Sequence, residues 1–146
     1  VHDRLMELGA RLTVDTVRKI FDGTVERQPQ SVLLAGMDPT PAPKIFRETC
    51  RIDWNRPADD IHNLIRGLSP YPAAWSLLSL DGEDPKSYKI FSSEVTADPS
   101  VSQPGTAHID GDRLLIDTAT TRLAILSIQA PGKRRMSTPE FLRGLR

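Results

Sequence analysis

The residues best placed to do chemistry form a basic triplet, Lys133-Arg134-Arg135, which directly follows a glycine and precedes a Met-Ser-Thr-Pro-Glu sequence. Three adjacent cations in a glycine-led loop can project together without burying charge, and such a cluster suits the neutralisation of phosphate groups. The alternative is ordinary solvated surface charge, because basic runs of three residues are common. Taken alone, the triplet therefore favours a plain surface loop and leaves a phosphate-binding loop open.

Charge distribution decides how far a nucleic-acid hypothesis can go. The 146 residues include nineteen basic and nineteen acidic ones, so the formal net charge is zero and gives no overall reason to bind a polyanion. From residue 118 to the end, however, six basic residues face Glu140 alone. Weaker cationic candidates, each better explained as plain surface charge on a strand, are Arg51, Lys86, Lys89 and Arg122.

The sequence gives little support for a metal site or for a catalytic site. The three histidines lie in unrelated segments without the spacing of metal ligands, so no metal site is predicted. No Gly-x-Ser-x-Gly motif accompanies them, and no catalytic set is predicted. Asp110, Asp112 and Asp117 surround a glycine and are interpreted as turn and strand-edge residues exposed to solvent.

Three aromatic residues, Trp54, Tyr71 and Trp75, could serve as stacking platforms for bases, each adding about 1–3 kcal/mol when exposed. They flank a predicted helix that must dock on the rest of the domain. We therefore expect all three to pack into the core.

The elements that must position these residues begin with a helix over residues 3–22, with Asp3 as N-cap and Gly23 as its stop. Its apolar face is broad, which indicates a partner surface. Residues 23–43 contain four prolines and predict a linker. A second helix is predicted to start at Asn55 as N-cap, with Pro57 in its first turn, and to end near Gly67.

Strand character follows in five short runs, residues 74–80, 87–96, 106–109, 112–117 and 122–128, punctuated by glycine and proline. Residues 45–53 could add an edge strand, and a capping box at Ser137-Thr138-Pro139-Glu140 opens a last helix. The predicted fold is mainly β, a small Greek-key barrel of the oligonucleotide-binding type with flanking helices, preceded by an isolated helix and linker. The predicted segments are 1–23, 24–44 and 45–146.

A family resemblance is carried by Ile52-Asp53-Trp54, Ile65-Arg66, Pro70-Tyr71-Pro72, Pro104-Gly105-Thr106, the run 129–137 with sequence QAPGKRRMS, and Phe141-Leu142-Arg143-Gly144. With these motifs the sequence resembles the C-terminal domain of the methionyl-tRNA formyltransferase family. Residues 5–12 resemble the last helix of that family's catalytic domain. The sharpest motif is the basic triplet followed by Met-Ser, which resembles the members that act on tRNA. This resemblance implies that Lys133, Arg134 and Arg135 bind RNA phosphates.

The resemblance implies a parent enzyme that transfers a formyl group from 10-formyltetrahydrofolate to the methionine of initiator tRNA. The family's catalytic Asn-x-His and Ser-Leu-Leu-Pro elements are not found here, since neither Asn55 nor Asn63 precedes a histidine by two positions and Ser76-Leu77-Leu78 is followed by Ser79. We therefore expect a fragment without cofactor or activity of its own. Its implied partners are initiator Met-tRNA and the N-terminal catalytic domain of the same polypeptide, with a dimer through the first helix as a further possibility.

Two alternatives stay open. One is the C-terminal part of a sugar-nucleotide formyltransferase, against which the basic triplet argues. The other is a non-catalytic RNA-binding module, against which the broad apolar face of the first helix argues. A single cysteine and the lack of an apolar run of about 18 residues predict a cytoplasmic protein without a membrane span.

Overall fold

The computed structural model describes residues 1–80 and 82–145 and divides the chain into two units, Val1–Pro43 and Lys44–Arg146. The first unit contains helix α1, His2–Phe21, and a four-residue helix α2, Gln30–Leu33. The predicted first helix is therefore present, but Val1 occupies the N-cap and Asp3 lies in the first turn. Helix α2 was not predicted; its four residues form one turn directly after Pro29, in a stretch free of proline.

The second unit is built on a six-stranded antiparallel sheet. Its strands are β1 (Ala74–Leu78), β2 (Lys86–Pro99), β3 (Ala107–Asp110), β4 (Arg113–Asp117), β5 (Thr121–Gln129) and β6 (Met136–Ser137). The main path runs β1-β2-β5-β4-β3, and β6 pairs with the end of β5. The prediction of a mainly β fold with flanking helices is confirmed.

The sheet stays open. Within residues 1–80 and 82–145 no pairing joins β1 to β3, so the predicted barrel does not close. Both edge strands are short, five and four residues, and offer few backbone groups for a closing ladder. Strand β2 bends at register shifts near Ile90, Ser92 and Val95, which curve the sheet around its core.

Side chains alternate between the two faces of the sheet along each strand, and one face points towards the core. Ala74, Ile90 and Ile128 are directly paired across β1, β2 and β5, and all three are buried. The largest fully buried side chains of the described chain are Ile61, Ile65, Leu78, Ile90, Leu114, Ile116, Leu123, Ile125, Ile128, Thr118, Thr138 and Asp117. At about 25 cal/mol per Å² of apolar surface, this branched aliphatic core is the main source of stability.

Helix α3, Ala58–Leu68, covers the core with Ala58, Ile61, Ile65 and Leu68. The predicted N-cap at Asn55 is wrong, because Pro57 occupies that position. The backbone N–H and the side-chain amide of Asn55 both donate to Asp53 Oδ1, at 3.1 and 3.0 Å. The hydroxyl of Thr120 instead accepts the otherwise unpaired N–H of Ala58 at 3.1 Å.

The predicted edge strand over residues 45–53 is also wrong. A short 3₁₀ helix, Glu48–Cys50, lies there, and only Arg51 forms an isolated parallel bridge, with Trp75. The Thr49 hydroxyl accepts the Phe46 N–H at 3.1 Å and donates to the Phe46 carbonyl at 2.7 Å. Such local side-chain bonds compete with strand pairing and close a turn.

Helix α4, Thr138–Arg143, starts after Ser137 as predicted, but the Ser137 side chain makes no capping hydrogen bond. The other half of the predicted capping box is missing as well, because the Glu140 carboxylate pairs with Arg134. The buried Thr138 hydroxyl donates to the Ile125 carbonyl at 2.5 Å and ties α4 to β5. No helix in the described part of the chain is long and apolar enough to cross a membrane.

Candidate nucleic-acid interface

Four directly paired positions cross the outer face of the sheet, and we call them the outer row: Arg51, Trp75, Lys89 and Gln129. Arg51 bridges to Trp75, Trp75 opposes Lys89, and Lys89 opposes Gln129. Three strand spacings of about 4.8 Å give the row a length of about 14 Å. Arg51 and Lys89 are exposed, whereas Trp75 and Gln129 are half-buried. Backbone pairing thus places two of the predicted cationic residues on one surface.

Two guanidinium groups lie near the ring of Trp75. The Arg47 Cζ lies 5.0 Å and the Arg51 Cζ 5.7 Å from the centre of its ring, both within cation–π range. The indole Nε1 donates to the Arg47 carbonyl at 2.8 Å. The sequence interpretation missed Arg47. Arg47 lies four positions before Arg51, and this spacing places two side chains on one side of a helical turn, but the segment was expected to be a strand.

The aromatic residues differ in burial. Trp54 is buried as predicted, and its Nε1 donates to the Ser76 hydroxyl at 2.8 Å. Trp75 packs against the core but keeps part of its surface exposed. The prediction for Tyr71 is wrong, because its side chain is 88% exposed. It lies in the turn between α3 and β1, where the prolines on either side lead the chain around the end of the helix rather than into the core.

The basic triplet lies in the loop between β5 and β6, and its three side chains follow different directions. Arg134 forms an ion pair with Glu140. Arg135 donates from Nε to the Ser127 hydroxyl at 2.8 Å, and its guanidinium lies 4.6 Å from the centre of the Phe91 ring. The expectation that all three cations project together is therefore corrected, because available partners on the sheet and on α4 draw two of them apart.

Lys133 is the least engaged member of the triplet. In the described part of the chain its ammonium has no hydrogen-bond or ion-pair partner. Its carbonyl accepts a hydrogen bond of 2.7 Å from the side-chain amide of Gln129, the last residue of the outer row. That bond connects the basic loop to the end of the outer row, whereas Lys133 itself lines a cavity with Lys86, Tyr88 and Phe141.

Two of the predicted cationic residues, Lys86 and Arg122, do not belong to the outer row. Lys86 forms an ion pair with Glu83, whose hydrogen bond is the main cause of a raised pKa for the lysine. Arg122 donates from Nε to Asp117 Oδ1 at 3.1 Å and is half-buried. Both cations are already neutralised by a carboxylate, which removes most of their value for a phosphate group.

Asp117 itself contradicts its interpretation as a solvated strand-edge residue, because it is fully buried. Burial raises its pKa, but hydrogen bonds from His108, Arg122 and the Val101 N–H outweigh that effect and hold the pKa below its ordinary value. The sequence signal was a carboxylate at the end of an apolar strand, with a basic residue five positions later. Among the described residues no group of three or more His, Cys, Asp and Glu could hold a metal ion.

Comparison with known proteins decides the family. The family model described as the formyl transferase C-terminal domain matches residues 44–146. The chain belongs to that family.

Relatives of this formyl transferase C-terminal domain support the resemblance seen in the sequence. A methionyl-tRNA formyltransferase of Bacteroides fragilis is 46% identical over 145 residues, which cover 99% of this chain and 45% of the relative. One from Chlorobium phaeovibrioides is 44% identical over 147 residues, covering 99% of this chain and 43% of the relative. The chain thus spans less than half the length of the curated relatives it matches.

Solved structures share the fold of the domain. HypX from Aquifex aeolicus, in a multiply substituted variant, aligns with a TM-score of 0.62 at 14% identity over 91% of this chain and 22% of HypX. A HypX complex with tetrahydrofolic acid aligns with a TM-score of 0.55 at 17% identity over 77% of this chain and 21% of HypX. Sequence identity this low carries the fold alone.

Proposed function

We propose that this chain is the tRNA-holding C-terminal part of a methionyl-tRNA formyltransferase. The parent enzyme would transfer a formyl group from 10-formyltetrahydrofolate to the amino group of methionine on initiator tRNA. The observation that carries the proposal is 46% identity over 99% of the chain to a protein of that name. Relatives named in the same way at 45% and 40% identity do not favour the sugar-nucleotide alternative.

Exposed cations in the outer row and in the basic loop support the RNA-holding role. Arg51 and Lys89 are exposed in the row, Lys133 is exposed in the loop, and Arg135 lies above Phe91. Contacts of this kind neutralise backbone phosphates, release counterions and position an RNA without reading its bases. We therefore expect weak binding that tolerates sequence differences and depends steeply on salt.

The chemical step belongs, in this proposal, to the N-terminal catalytic domain of the same polypeptide, which would also hold the folate. The β sheet with its flanking helices would act as an open relative of the oligonucleotide-binding barrel, presenting its outer face to the tRNA. We place the parent enzyme in the cytoplasm, where charged initiator tRNA is found and where a free cysteine such as Cys50 stays reduced.

The test is equilibrium binding of unfractionated tRNA at several salt concentrations. Replacing Lys133, Arg134 and Arg135 together by alanine should reduce the slope of log affinity against log salt by up to about two neutralised phosphates, because Arg134 is already paired with Glu140. Folding should persist, because exposed substitutions usually change stability by no more than about 0.5 kcal/mol. Circular dichroism on the same samples checks that the sheet remains.

A charge-matched control replaces Arg4, Arg11 and Arg18, which are exposed on α1, by alanine. This control loses three positive charges, as the loop variant does, and should keep the slope of the unmodified chain. Equal slopes for all three proteins would contradict the role of the loop. A chain that binds no tRNA even at low salt would contradict the RNA-holding function itself.

A further inference from the structure

Tyr71 is a large aromatic side chain that folding leaves in water, with 88% of its surface exposed. The turn that carries it is fixed at its end by Ala73, which is buried and donates its N–H to the Leu68 carbonyl at 2.9 Å. Ala73 has φ of 75°, a left-handed conformation that an alanine keeps only where its surroundings enforce it. The ring is therefore presented on an ordered turn and makes little contribution to the core.

Beside Tyr71 lies a cavity of about 450 Å³ with aromatic and basic walls. Phe46, Trp75 and Pro72 form its apolar lining, and Arg47 and Lys89 supply charge. The two middle residues of the outer row, Trp75 and Lys89, thus line this cavity, and Gln129 at the end of the row leads to the basic loop.

Charge tells which kind of partner fits the cavity. Segment 44–51 carries Lys44, Arg47 and Arg51 against Glu48 alone, and Lys89 adds another cation across the strand from Trp75. This local excess of positive charge suits a polyanion. Aromatic rings interleaved with cations match a single-stranded nucleic acid, whose bases stack on rings while its phosphates meet the charges.

We propose that Tyr71 stacks an unpaired base of bound RNA, with the backbone of the RNA running over Arg47 and Lys89. This proposal rests on the RNA-holding function proposed above and adds a specific contact to it. Tyr71 then recognises the absence of pairing, because a base inside a duplex has no free face to offer. The cations contribute affinity, and the ring selects for single-stranded segments.

The test compares two RNA probes, a single-stranded uridine decamer and a fully paired RNA duplex, binding to the unmodified chain and to Tyr71→Ala. Loss of one stacking contact should weaken binding of the decamer by about 5- to 100-fold and leave binding of the duplex unchanged. The salt slope for the decamer should stay the same, because the phenol ring neutralises no phosphate. Tyr71→Phe keeps the ring and should bind the decamer as the unmodified chain does.

Leu126→Ala serves as the matched control, since it removes an exposed apolar side chain from β5 outside the cavity lining and should leave decamer binding unchanged. An unchanged melting temperature of Tyr71→Ala would exclude unfolding as the cause of weaker binding.

Equal decamer affinity for Tyr71→Ala and the unmodified chain, while tRNA still binds, would overturn the stacking role and leave the proposed function intact. No salt-dependent binding of any RNA overturns both. A glutamate decapeptide that competes equally, and loses as much affinity in Tyr71→Ala, assigns the cavity to an acidic protein segment and overturns the RNA assignment.

Discussion

Asp117 shows at the scale of one residue how this domain fixes a charge inside its sheet. Its carboxylate accepts the N–H groups of Val101 and Ser102 at 3.3 and 2.9 Å, His108 Nε2 at 2.8 Å and Arg122 Nε at 3.1 Å. Because an ionised carboxylate only accepts, the His108 Nε2 must carry a hydrogen. The cluster ties the loop before β3 to β4 and β5 through a side chain with no exposed surface.

Replacing Asp117 by asparagine should destabilise the domain by about 2–3 kcal/mol, because one acceptor becomes a donor that faces other donors. Its folded pKa is lower than the value of 3.8 expected when the chain unfolds. The stabilisation is therefore complete above about pH 5 and is lost as the pH falls through the folded pKa. Urea unfolding between pH 2 and 7 should show this acid-dependent loss in the unmodified chain.

Asp110→Asn is the control for this substitution, because Asp110 lies exposed at the end of β3. It should change the free energy of unfolding by less than about 0.5 kcal/mol at pH 7. If Asp117→Asn loses stability with falling pH by the same amount as the unmodified chain, another carboxylate is responsible for the acid sensitivity.

Residue types were easier to predict than residue partners. The basic character of Lys133-Arg134-Arg135 can be read directly from the sequence, but the pairing of Arg134 with Glu140 requires the loop and α4 to be placed in space. Tyr71 shows the reverse problem, since an aromatic residue between prolines near a helix resembles a core residue until the path of the turn is known. Arg47 remained hidden because its segment was interpreted as a strand.

At the scale of elements, hydrophobic periodicity predicted the helices and strands that pack into the core. It did not predict the features that depend on individual polar contacts or on strand pairing. The apolar stripe of α3 and the alternation of five strands predicted elements that the sheet confirms within a few residues. Strand β6 has two residues and no pattern of its own, so only its pairing with β5 defines it. The start of α3 depends on Thr120, 62 positions from Ala58, which no local signal indicates.

Helix α1 is the element for which we expect the lowest stability in this chain. It buries no side chain, and its exposed apolar residues include Leu5, Leu12 and Val17. An isolated helix of 20 residues is only marginally stable in water, so its amides should exchange with opening free energies of about 0–1 kcal/mol. Hydrogen exchange followed by mass spectrometry should show α1 exchanging well before β5.

The comparison between α1 and β5 should be made at two protein concentrations. The dimer predicted from the apolar face of α1 would slow exchange in α1 only at the higher concentration, and exchange in β5 would not change. Protection of α1 equal to that of β5 in a dilute monomer would contradict the expectation that this helix needs a partner surface.

At the scale of the whole chain, the formal net charge is zero, but the positive charges are unevenly matched by carboxylates. Arg134, Lys86 and Arg122 are matched by carboxylates, whereas Arg51, Lys89 and Lys133 are left for solvent or a ligand. Attraction of a polyanion depends on this local excess, because charges farther than about 10 Å are screened at 0.1 M salt. Composition alone therefore hides the local positive charge on which the proposed RNA binding depends.

We expect this chain alone not to catalyse formyl transfer. Formyl transfer needs a group that positions the folate and one that removes a proton from the attacking amine, and the family's Asn-x-His and Ser-Leu-Leu-Pro elements are not found in this sequence. The purified chain, incubated with Met-tRNA and 10-formyltetrahydrofolate, should yield formyl-Met-tRNA only at the uncatalysed rate. A matched incubation without protein sets that rate, and a complete methionyl-tRNA formyltransferase shows that the assay works. Product formation that scales with the concentration of this chain, and survives repeated purification, would show that the chain has catalytic residues of its own. It would refute their proposed location in another domain.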